Sequence, residues 1–180
     1  MDELSQIAQE FDCEKYTLCD FTKYYDEVFT CIRNDTFNLF EIGIYRGASM
    51  RMWEKYFPNA QIYAIDTDSR HMKHSSDRVH CYYMNQCDKA MLSELADYVG
   101  KFKIICDDGS HEASDMVASL EVLYPYLEDG GYYIVEDILP EAKLEVYKYI
   151  STLPHRVVTL ATARYRPEVD MVILQKCTKI

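Results

Sequence analysis

The strongest constraint on the fold is an alternation along the chain between short apolar runs and longer amphipathic stretches. The apolar runs are bounded by turn residues and are typical of buried strands at residues 37–43, 61–66, 79–84, 102–108 and 131–137. Between them, apolar residues at spacings of three and four predict helices at 48–56, 88–98, 114–127 and, after Pro140, 141–150. This order predicts an α/β fold with a doubly wound, mostly parallel sheet and helices on both faces.

The two ends of the chain complete this picture. Apolar runs at 156–162 and 171–176 predict an antiparallel C-terminal strand pair, which makes a Rossmann-like sheet of seven strands. Two helices are expected around residues 2–11 and 20–33. We therefore expect a helical segment, 1–36, that covers the functional site, and a domain at 37–180, the two forming one globular unit.

Composition excludes several classes of protein. Thirty acidic residues against 19 basic ones give a net charge of −11, which disfavours nucleic acid as a partner. The seven cysteines form no C-x-x-C pair, so neither a disulfide framework nor a thiolate zinc site is indicated. The acidic start lacks a secretory signal, and no run approaches the ~18 apolar residues of a membrane span. These features predict a soluble, cytoplasmic protein without membrane contact.

Acidic residues cluster where the predicted strands end. In open α/β sheets, ligands bind beyond the carboxyl ends of the strands. Asp68 and Asp88, taken alone, are equally well explained as helix caps. Two doubled pairs of acids would instead crowd negative charge into a partly desolvated place, so we expect a cation there. The acids at or after strand ends are Glu41, Asp66, Asp68, Asp88, Asp107, Asp108, Glu136 and Asp137.

The loop after the first strand, E-I-G-I-Y-R-G-A-S, indicates a cofactor site. Gly43 and Gly47 permit close approach of backbone to a ligand as the chain turns into a helix. The loop departs from the dinucleotide fingerprint G-x-G-x-x-G, and Glu41 would repel a pyrophosphate. Asp66 stands where an acidic side chain commonly binds ribose hydroxyls. A phosphate-free nucleoside with a cationic centre fits this set, which points to S-adenosylmethionine.

Longer motifs carry a family resemblance. The segment D-D-G-S-H at 107–111, followed by G-G-Y-Y-I-V-E-D at 130–137, resembles the class I S-adenosylmethionine-dependent methyltransferases. More narrowly, the chain from about residue 14 to 138 is similar to metal-dependent macrolide-sugar and rhamnosyl O-methyltransferases, to which cephalosporin hydroxylase-like proteins are also similar. Even E-K-Y-T at 14–17 resembles that family's D-K-G-T, with Tyr16 in place of the glycine. Asn85 likewise replaces an aspartate that usually precedes the glutamine.

The resemblance implies roles for individual residues. Asp66 matches the ribose acid, and His111 matches the catalytic base. The metal ligands are expected to be Asp108, Glu136 and Asp137. The remaining cofactor-binding residues implied are Glu41, Gly43, Tyr45, Gly47, Ser49, Gln86, Asp88 and Asp107. The resemblance also implies methyl transfer to a sugar or glycan hydroxyl, for example on a deoxyhexose such as rhamnose, with self-association left open.

The chemistry of these residues is consistent with that role. Three carboxylates can hold a divalent cation that binds neighbouring sugar hydroxyls and lowers their pKa. All-oxygen coordination favours Mg²⁺, with Mn²⁺ as an alternative, over zinc or copper. His111 follows Asp108 by three residues, and an imidazole suits a base that accepts the hydroxyl proton.

Other interpretations remain open. An iron-dependent hydroxylase of the related family would reuse the carboxylates, but non-haem iron usually requires two histidines and one carboxylate. A non-catalytic nucleoside-binding module of a larger glycan-modifying protein would retain the site for contacts alone. His71 and His74 have the spacing of a metal pair but no acidic or cysteine neighbour in sequence, so we interpret them as part of a solvated face.

Overall fold

Seven strands form one sheet in the computed structural model, which describes residues 1–71 and 74–177. The sheet order is β3-β2-β1-β4-β5-β7-β6. Strands β1 to β5 pair in parallel, whereas β7 is antiparallel to both β5 and β6. The predicted mostly parallel sheet with an antiparallel C-terminal pair is thereby confirmed. The strands are β1 (Asn38–Ile42), β2 (Gln61–Asp66), β3 (Val79–Tyr83), β4 (Phe102–Asp107), β5 (Leu127–Ile138), β6 (His155–Ala163) and β7 (Arg166–Lys176).

Helices cover both faces of this sheet. Successive residues of a strand point to opposite faces, so Leu39 enters one apolar layer and Phe40 the other. Helices α1, α3 and α4 pack in the layer of Leu39, and α5, α6 and α7 pack in the layer of Phe40. No helix within the described ranges is long and apolar enough to span a bilayer. The helices are α1 (Glu3–Glu10), α2 (Glu14–Thr17), α3 (Thr22–Phe29), α4 (Ala48–Tyr56), α5 (Lys89–Val99), α6 (Ala113–Leu123) and α7 (Lys143–Ile150).

Several boundaries differ from the sequence prediction, and β7 begins at Arg166, ahead of the predicted run at 171–176. Helix α6 ends at Leu123 and passes through a 3₁₀ turn, Tyr124–Tyr126, into β5, which begins four residues earlier than expected. Pro125 in that turn lacks a backbone N–H and cannot continue an α-helix. The second N-terminal helix is shorter than predicted and ends in a 3₁₀ turn at Thr30–Ile32. The single-turn helix α2 is not predicted, because four residues carry no periodic signal.

The sheet order reverses between β1 and β4, which is the switch point where ligands bind in such sheets. The loops that follow these two strands touch there. A Cβ placed on Gly43 would lie 2.0 Å from the backbone carbonyl oxygen of Asp108, and Gly43 has a φ of +96°. Only glycine fits this contact, so its identity fixes how closely the two loops approach each other.

Candidate cofactor and metal site

A cleft of about 290 Å³ opens at the carboxyl edge of the sheet beside this contact. Its walls come from the ends of β1 and β2 and from the segments that follow β2, β3 and β4. Both apolar and hydrogen-bonding groups face it, and none of its described lining residues is basic. The lining residues are Ile42, Gly43, Ile65, Asp66, Thr67, Met84, Asn85, Gln86, Gly109, Ser110 and Asp115.

Asp66 ties the first loop to the end of β2. Its Oδ2 accepts hydrogen bonds from the backbone N–H groups of Ile44, at 2.9 Å, and Tyr45, at 3.0 Å. Its Oδ1 accepts from the N–H of Asp68 at 2.8 Å. Burial alone would raise the pKa of Asp66, but these hydrogen bonds lower it below its usual value. Oδ2 is also 3.0 Å from His71 Nδ1, so the capacity that remains for a hydroxyl in the cleft is the second lone pair of Oδ1.

Gln86 anchors the opposite wall. Its Nε2 donates to Ser119 Oγ at 3.1 Å and to Asp107 Oδ1 at 3.3 Å, while its Oε1 accepts from the N–H of Ser110 at 2.9 Å. A Cβ on Gly109 would lie 2.1 Å from that Oε1, so a glycine is needed for the loop to pass. The side chain of Gln86 is thus fixed before any ligand arrives.

The remaining residues of the first loop take different positions. Tyr45 is half exposed and lies edge-on to His71, with ring centroids 5.5 Å apart. Gly47, with a φ of +72°, is the N-cap of α4, and Ser49 is buried in the first turn of that helix. Glu41 is fully buried and accepts a hydrogen bond from Trp53 Nε1. Of the loop residues predicted to bind cofactor, only Gly43 lines the cleft as the described residues form it.

Asp88 and Asp107 also lie outside the cleft lining. Asp88 caps α5 by accepting a hydrogen bond from the N–H of Met91 at 3.1 Å, which is the alternative that the sequence leaves open. Asp107 is fully buried, and burial raises its pKa to about 7. Its side chain points into the layer below α6, toward Gln86, rather than into the cleft. Asp88 thus caps a helix and Asp107 contacts the Gln86 side chain, and their contact with a cofactor stays a prediction.

Next to the cleft, Asp108, His111 and Asp137 form a group that we call the outer cluster. One ligand atom from each residue lies within 4.8 Å of the others, a spacing that can hold a metal ion. His111 and Asp137 have φ values of +63° and +49°, which are uncommon for side-chain-bearing residues and cost about 1–3 kcal/mol each. Burial and the charge of Asp108 both raise the pKa of Asp137. Two strained residues and repelling carboxylates are thus held together at one edge.

Behind the outer cluster lies a second group around Lys15, which we call the inner cluster. The Lys15 ammonium is 2.6 Å from Glu136 Oε1, 2.7 Å from Asp108 Oδ2 and 3.3 Å from Glu41 Oε1. The thiol of Cys106 also donates to Glu136 Oε1, at 3.1 Å. Burial would lower the pKa of Lys15, but its acidic neighbours raise it well above its usual value, so the side chain is charged. Burial also raises the pKa of Glu136 against the opposing effect of Lys15.

Two of the three predicted metal ligands, Asp108 and Asp137, lie together in the outer cluster, while Glu136 contacts Lys15 in the inner cluster. The ligand role of all three acids stays a prediction. An ammonium group of the protein itself lies among them. Sequence reasoning missed Lys15 as a functional residue, although it lies in the E-K-Y-T segment that resembles D-K-G-T. The sequence did carry one signal for the separation of Glu136 from Asp137. Successive side chains of a strand point to opposite faces of the sheet, so two consecutive acids do not face the same side.

Carboxyl groups outnumber the single ammonium group at these two clusters. Lys15 is the one ammonium group among the four acids Glu41, Asp108, Glu136 and Asp137. At the outer cluster, carboxylate oxygens of the kind that Mg²⁺ and Mn²⁺ prefer stand beside one imidazole. The donor set therefore fits a divalent cation.

His111 also borders a second cavity of about 140 Å³, which shares no lining residue with the first cleft. Its other walls are Glu112, Ala113, Leu139, Glu141 and Ala142. The Nδ1 atom of His111 is buried without a hydrogen-bond partner among the described residues. His71 and His74 contact different carboxylates and therefore form no joint site. His71 Nδ1 lies 3.0 Å from Asp66 Oδ2, and His74 Nε2 lies 2.8 Å from Glu54 Oε2.

Comparison with known proteins identifies relatives of this chain by sequence. The chain is 33% identical over 142 residues to 8-demethyl-8-α-L-rhamnosyl tetracenomycin-C 2'-O-methyltransferase from Streptomyces olivaceus, covering 75% of this chain and 37% of that protein. It is 32% identical over 145 residues to mycinamicin VI 2''-O-methyltransferase from Micromonospora griseorubida, covering 76% of this chain and 36% of that protein. The chain thus spans little more than a third of the length of these relatives.

A solved structure extends the likeness to the fold. The MycE methyltransferase of the mycinamycin biosynthetic pathway, in complex with Mg, SAH and mycinamycin VI, superposes with a TM-score of 0.78 at 28% identity. The match covers 94% of this chain and 54% of MycE. A family described as a methyltransferase domain matches residues 40–138, which is more than half of the chain. The chain therefore belongs to this methyltransferase-domain family and has the fold of the class I methyltransferases.

Proposed function

We propose that this chain is the catalytic domain of a divalent-metal-dependent O-methyltransferase that transfers a methyl group from S-adenosylmethionine to a sugar hydroxyl. One observation carries the proposal. In the loop at 108–111, Gly109 and Ser110 line the cleft, whereas Asp108 and His111 belong to the outer cluster. This arrangement of one tight loop supports a nucleoside site directly beside a cation site with a base. In-line methyl transfer requires this juxtaposition of donor and acceptor.

The cleft suits a nucleoside without phosphates. Asp66 faces it as a carboxylate and can accept hydrogen bonds from ribose hydroxyls. Among the described residues, no arginine or lysine lines it, so a pyrophosphate would meet negative charge without compensation. Gly43 and Gly109 allow backbone to approach the ligand, while Gln86 holds the wall in place. The family to which the chain belongs, and the SAH bound to MycE, support S-adenosylmethionine as the donor.

In this proposal, Asp108, Glu136 and Asp137 hold the divalent cation, with Mg²⁺ as the first candidate because it is present in the MycE complex. When bound, the cation supplies positive charge that acidifies and orients sugar hydroxyls. Asp108 and Asp137 fix its position at the carboxyl ends of β4 and β5. His111 accepts the hydroxyl proton, and the position of its side chain in the wall of the second cavity supports this role.

The acceptor is proposed to enter from the side of the second cavity. His111 forms one wall of that cavity, and Glu112 and Glu141 offer oxygens that can accept hydrogen bonds from further hydroxyls. The named relatives methylate rhamnosyl and macrolide sugars, which supports a deoxyhexose as the substrate class. Residues 1–36 are proposed to cover the site from the α1 and α3 side, because Lys15 reaches the carboxyl edge from that segment.

The alternatives find less support. The outer cluster contains one histidine and two carboxylates, whereas the non-haem iron oxygenases use two histidines and one carboxylate. A non-catalytic nucleoside-binding module would not need strained backbone at His111 and Asp137, which natural proteins maintain mainly at functional sites.

The test is a titration of the chain with S-adenosylmethionine and its demethylated product, with and without Mg²⁺. We expect micromolar binding, about 8 kcal/mol, and no competition by NAD. Incubation with rhamnosylated acceptors and Mg²⁺ should then add one methyl group, detected by mass spectrometry. Tight NAD binding without binding of either methionine nucleoside would overturn the donor assignment. Donor binding without transfer to any of a panel of deoxysugars would favour the binding-module alternative.

A further inference from the structure

We propose that Ser119 is a positioning residue of the donor cleft and that it holds the side-chain amide of Gln86 in the orientation that supports the loop at 108–111. Ser119 lies on α6 and does not line the cleft, whereas Gln86 and Ser110 do. We call Ser119, Gln86 and Ser110 the amide clasp. Its effect on donor binding rests on the proposed function, but the clasp itself is a property of the free chain.

The hydroxyl of Ser119 can only accept a hydrogen bond from Gln86. Ser119 is fully buried, and a buried hydroxyl without hydrogen bonds is costly. Its Oγ donates its single hydrogen to the backbone carbonyl oxygen of Asp115 at 3.0 Å. The Gln86 side-chain atom that lies 3.1 Å from this Oγ must therefore be the donor, which is Nε2.

The other end of the amide requires the same orientation. Gln86 Oε1 lies 2.9 Å from the backbone nitrogen of Ser110, which can only donate. Gln86 Nε2 has a second hydrogen, which it donates to Asp107 Oδ1 at 3.3 Å. A flipped amide would place its NH₂ group against the Ser110 N–H and its oxygen against an oxygen of Asp107. The three hydrogen bonds of the Gln86 side chain therefore depend on one orientation.

The clasp supports the second half of the loop at 108–111. Gly109 and Ser110 line the cleft, and His111, the next residue, belongs to the outer cluster. Asp108, at the start of the loop, is held separately, because its N–H donates to the carbonyl oxygen of Ile42 at 3.0 Å. Loss of the clasp should therefore free Ser110 and leave the backbone of Asp108 in place.

A second contact between the loop and α6 lies in solvent. Ser110 Oγ donates to Asp115 Oδ2 at 2.7 Å in an exposed position. Water competes with a hydrogen bond in such a position, whereas the bond between Gln86 and Ser119 is buried. The buried clasp is therefore the stronger of the two ties between the loop and α6.

Removal of the Ser119 hydroxyl would leave a buried N–H of Gln86 without an acceptor, which is costly. The amide can relieve this cost only by turning. A Cβ on Gly109 would lie 2.1 Å from Gln86 Oε1, so the backbone of the loop packs directly against the amide. A turn of the amide therefore removes the acceptor of the Ser110 N–H and moves one wall of the cleft.

Hydrogen exchange of single backbone amides, followed by NMR on the chain without ligand, tests the clasp. In Ser119→Ala, the N–H of Ser110 should exchange at least tenfold faster than in the unmodified chain, while the rate for Asp108 stays within threefold. Gln86→Met should have the same effect, and adding Ser119→Ala to it should change the Ser110 rate by less than twofold. Ser93→Ala, which removes a half-buried hydroxyl from α5, is the matched control and should leave both rates unchanged.

Calorimetry with S-adenosylhomocysteine measures the consequence for the cleft. Ser119→Ala should lower the affinity at least fivefold, and adding it to Gln86→Met should lower the affinity no further. Ser93→Ala should leave the affinity unchanged. If Ser119→Ala does not fold, Ser119→Cys takes its place, since a thiol is similar in size and only a weak acceptor.

An unchanged exchange rate of Ser110 in Ser119→Ala would overturn the clasp. So would effects of Ser119→Ala and Gln86→Met that add in the double variant, because additive effects indicate two independent structural roles. Faster exchange with unchanged affinity for S-adenosylhomocysteine would overturn the role in donor binding. An unmodified chain that binds no S-adenosylhomocysteine would overturn the donor site of the proposed function, while the exchange rates would still decide the clasp.

Discussion

Replacement of Gly43 by alanine tests how closely the loops that follow β1 and β4 must approach each other. A Cβ at this position would lie 2.0 Å from the carbonyl oxygen and 2.9 Å from the carbonyl carbon of Asp108. Both atoms are backbone, and the N–H of Asp108 donates to the carbonyl oxygen of Ile42 at 3.0 Å. Neither side of the contact can therefore move by a simple side-chain rotation. We expect Gly43→Ala to destabilise the protein and to displace Asp108 from the outer cluster.

The free energy of unfolding that Gly43→Ala is expected to lose has two parts. Gly43 has a φ of +96°, and an alanine held in such a conformation costs about 1–3 kcal/mol. Overpacking against backbone adds about 1–3 kcal/mol more. Gly100 is a matched control, because it has the same φ of +96° but no described atom within 4 Å of the position that a Cβ would take. Gly100→Ala should therefore show only the conformational part.

Urea unfolding at equilibrium measures both variants. With a slope of about 2 kcal/mol per molar urea, Gly43→Ala should unfold about 1 M lower than Gly100→Ala. Mn²⁺ binding should weaken in Gly43→Ala and remain unchanged in Gly100→Ala, which lies at the end of α5. Equal unfolding midpoints for the two variants would refute the contact as the reason for glycine at position 43.

Three further predictions concern the site. Asp137→Asn, like EDTA, should abolish methyl transfer while leaving donor binding nearly intact, as followed by calorimetry; full transfer in EDTA would remove the metal from the mechanism. His111→Ala should lower turnover by about 10²- to 10⁴-fold with donor affinity almost unchanged, and near-normal turnover would exclude His111 as the base. Asp66→Asn should cost about 1–3 kcal/mol of unfolding free energy near neutral pH, because backbone donors lose a charged acceptor. Because the pKa of Asp66 is lower in the native state, the native state binds fewer protons than the unfolded state at low pH. The stability difference between the unmodified chain and Asp66→Asn should therefore shrink as the pH falls below about 4, as measured by thermal melts.

The strands, and the edge of the sheet at which the acids meet, could be predicted from the sequence because local signals determine them. The runs at 61–66 and 102–108 match β2 and β4 nearly residue for residue, since apolar, β-branched residues bounded by turns fit few other structures. The helix predicted at 48–56 likewise has its observed limits. Acids at strand ends meet at one edge in any parallel sheet, so their proximity follows from topology alone.

The partners of those acids could not be predicted, because they depend on contacts distant in sequence. Lys15 and Glu136 are 121 positions apart, and nothing local marks that lysine as buried. Glu41 is predicted from the sequence to be a cofactor residue, yet its partners are Trp53 and Lys15. The adjacent pair Asp107 and Asp108 looks equivalent in sequence, but strand alternation places Asp107 in the protein interior and Asp108 at the edge.

The long sequence separations within the inner cluster have a consequence for synthesis on the ribosome. The partners of Lys15, Asp108 and Glu136, follow it by 93 and 121 residues, which at 5–20 residues per second is roughly 5 to 25 seconds of synthesis. The strand β7, later still, must pair between β5 and β6. During that interval α2 has no counter-charge to hold it against the sheet. The contacts of Lys15 with Asp108 and Glu136 can therefore form only after β4 and β5 have been made.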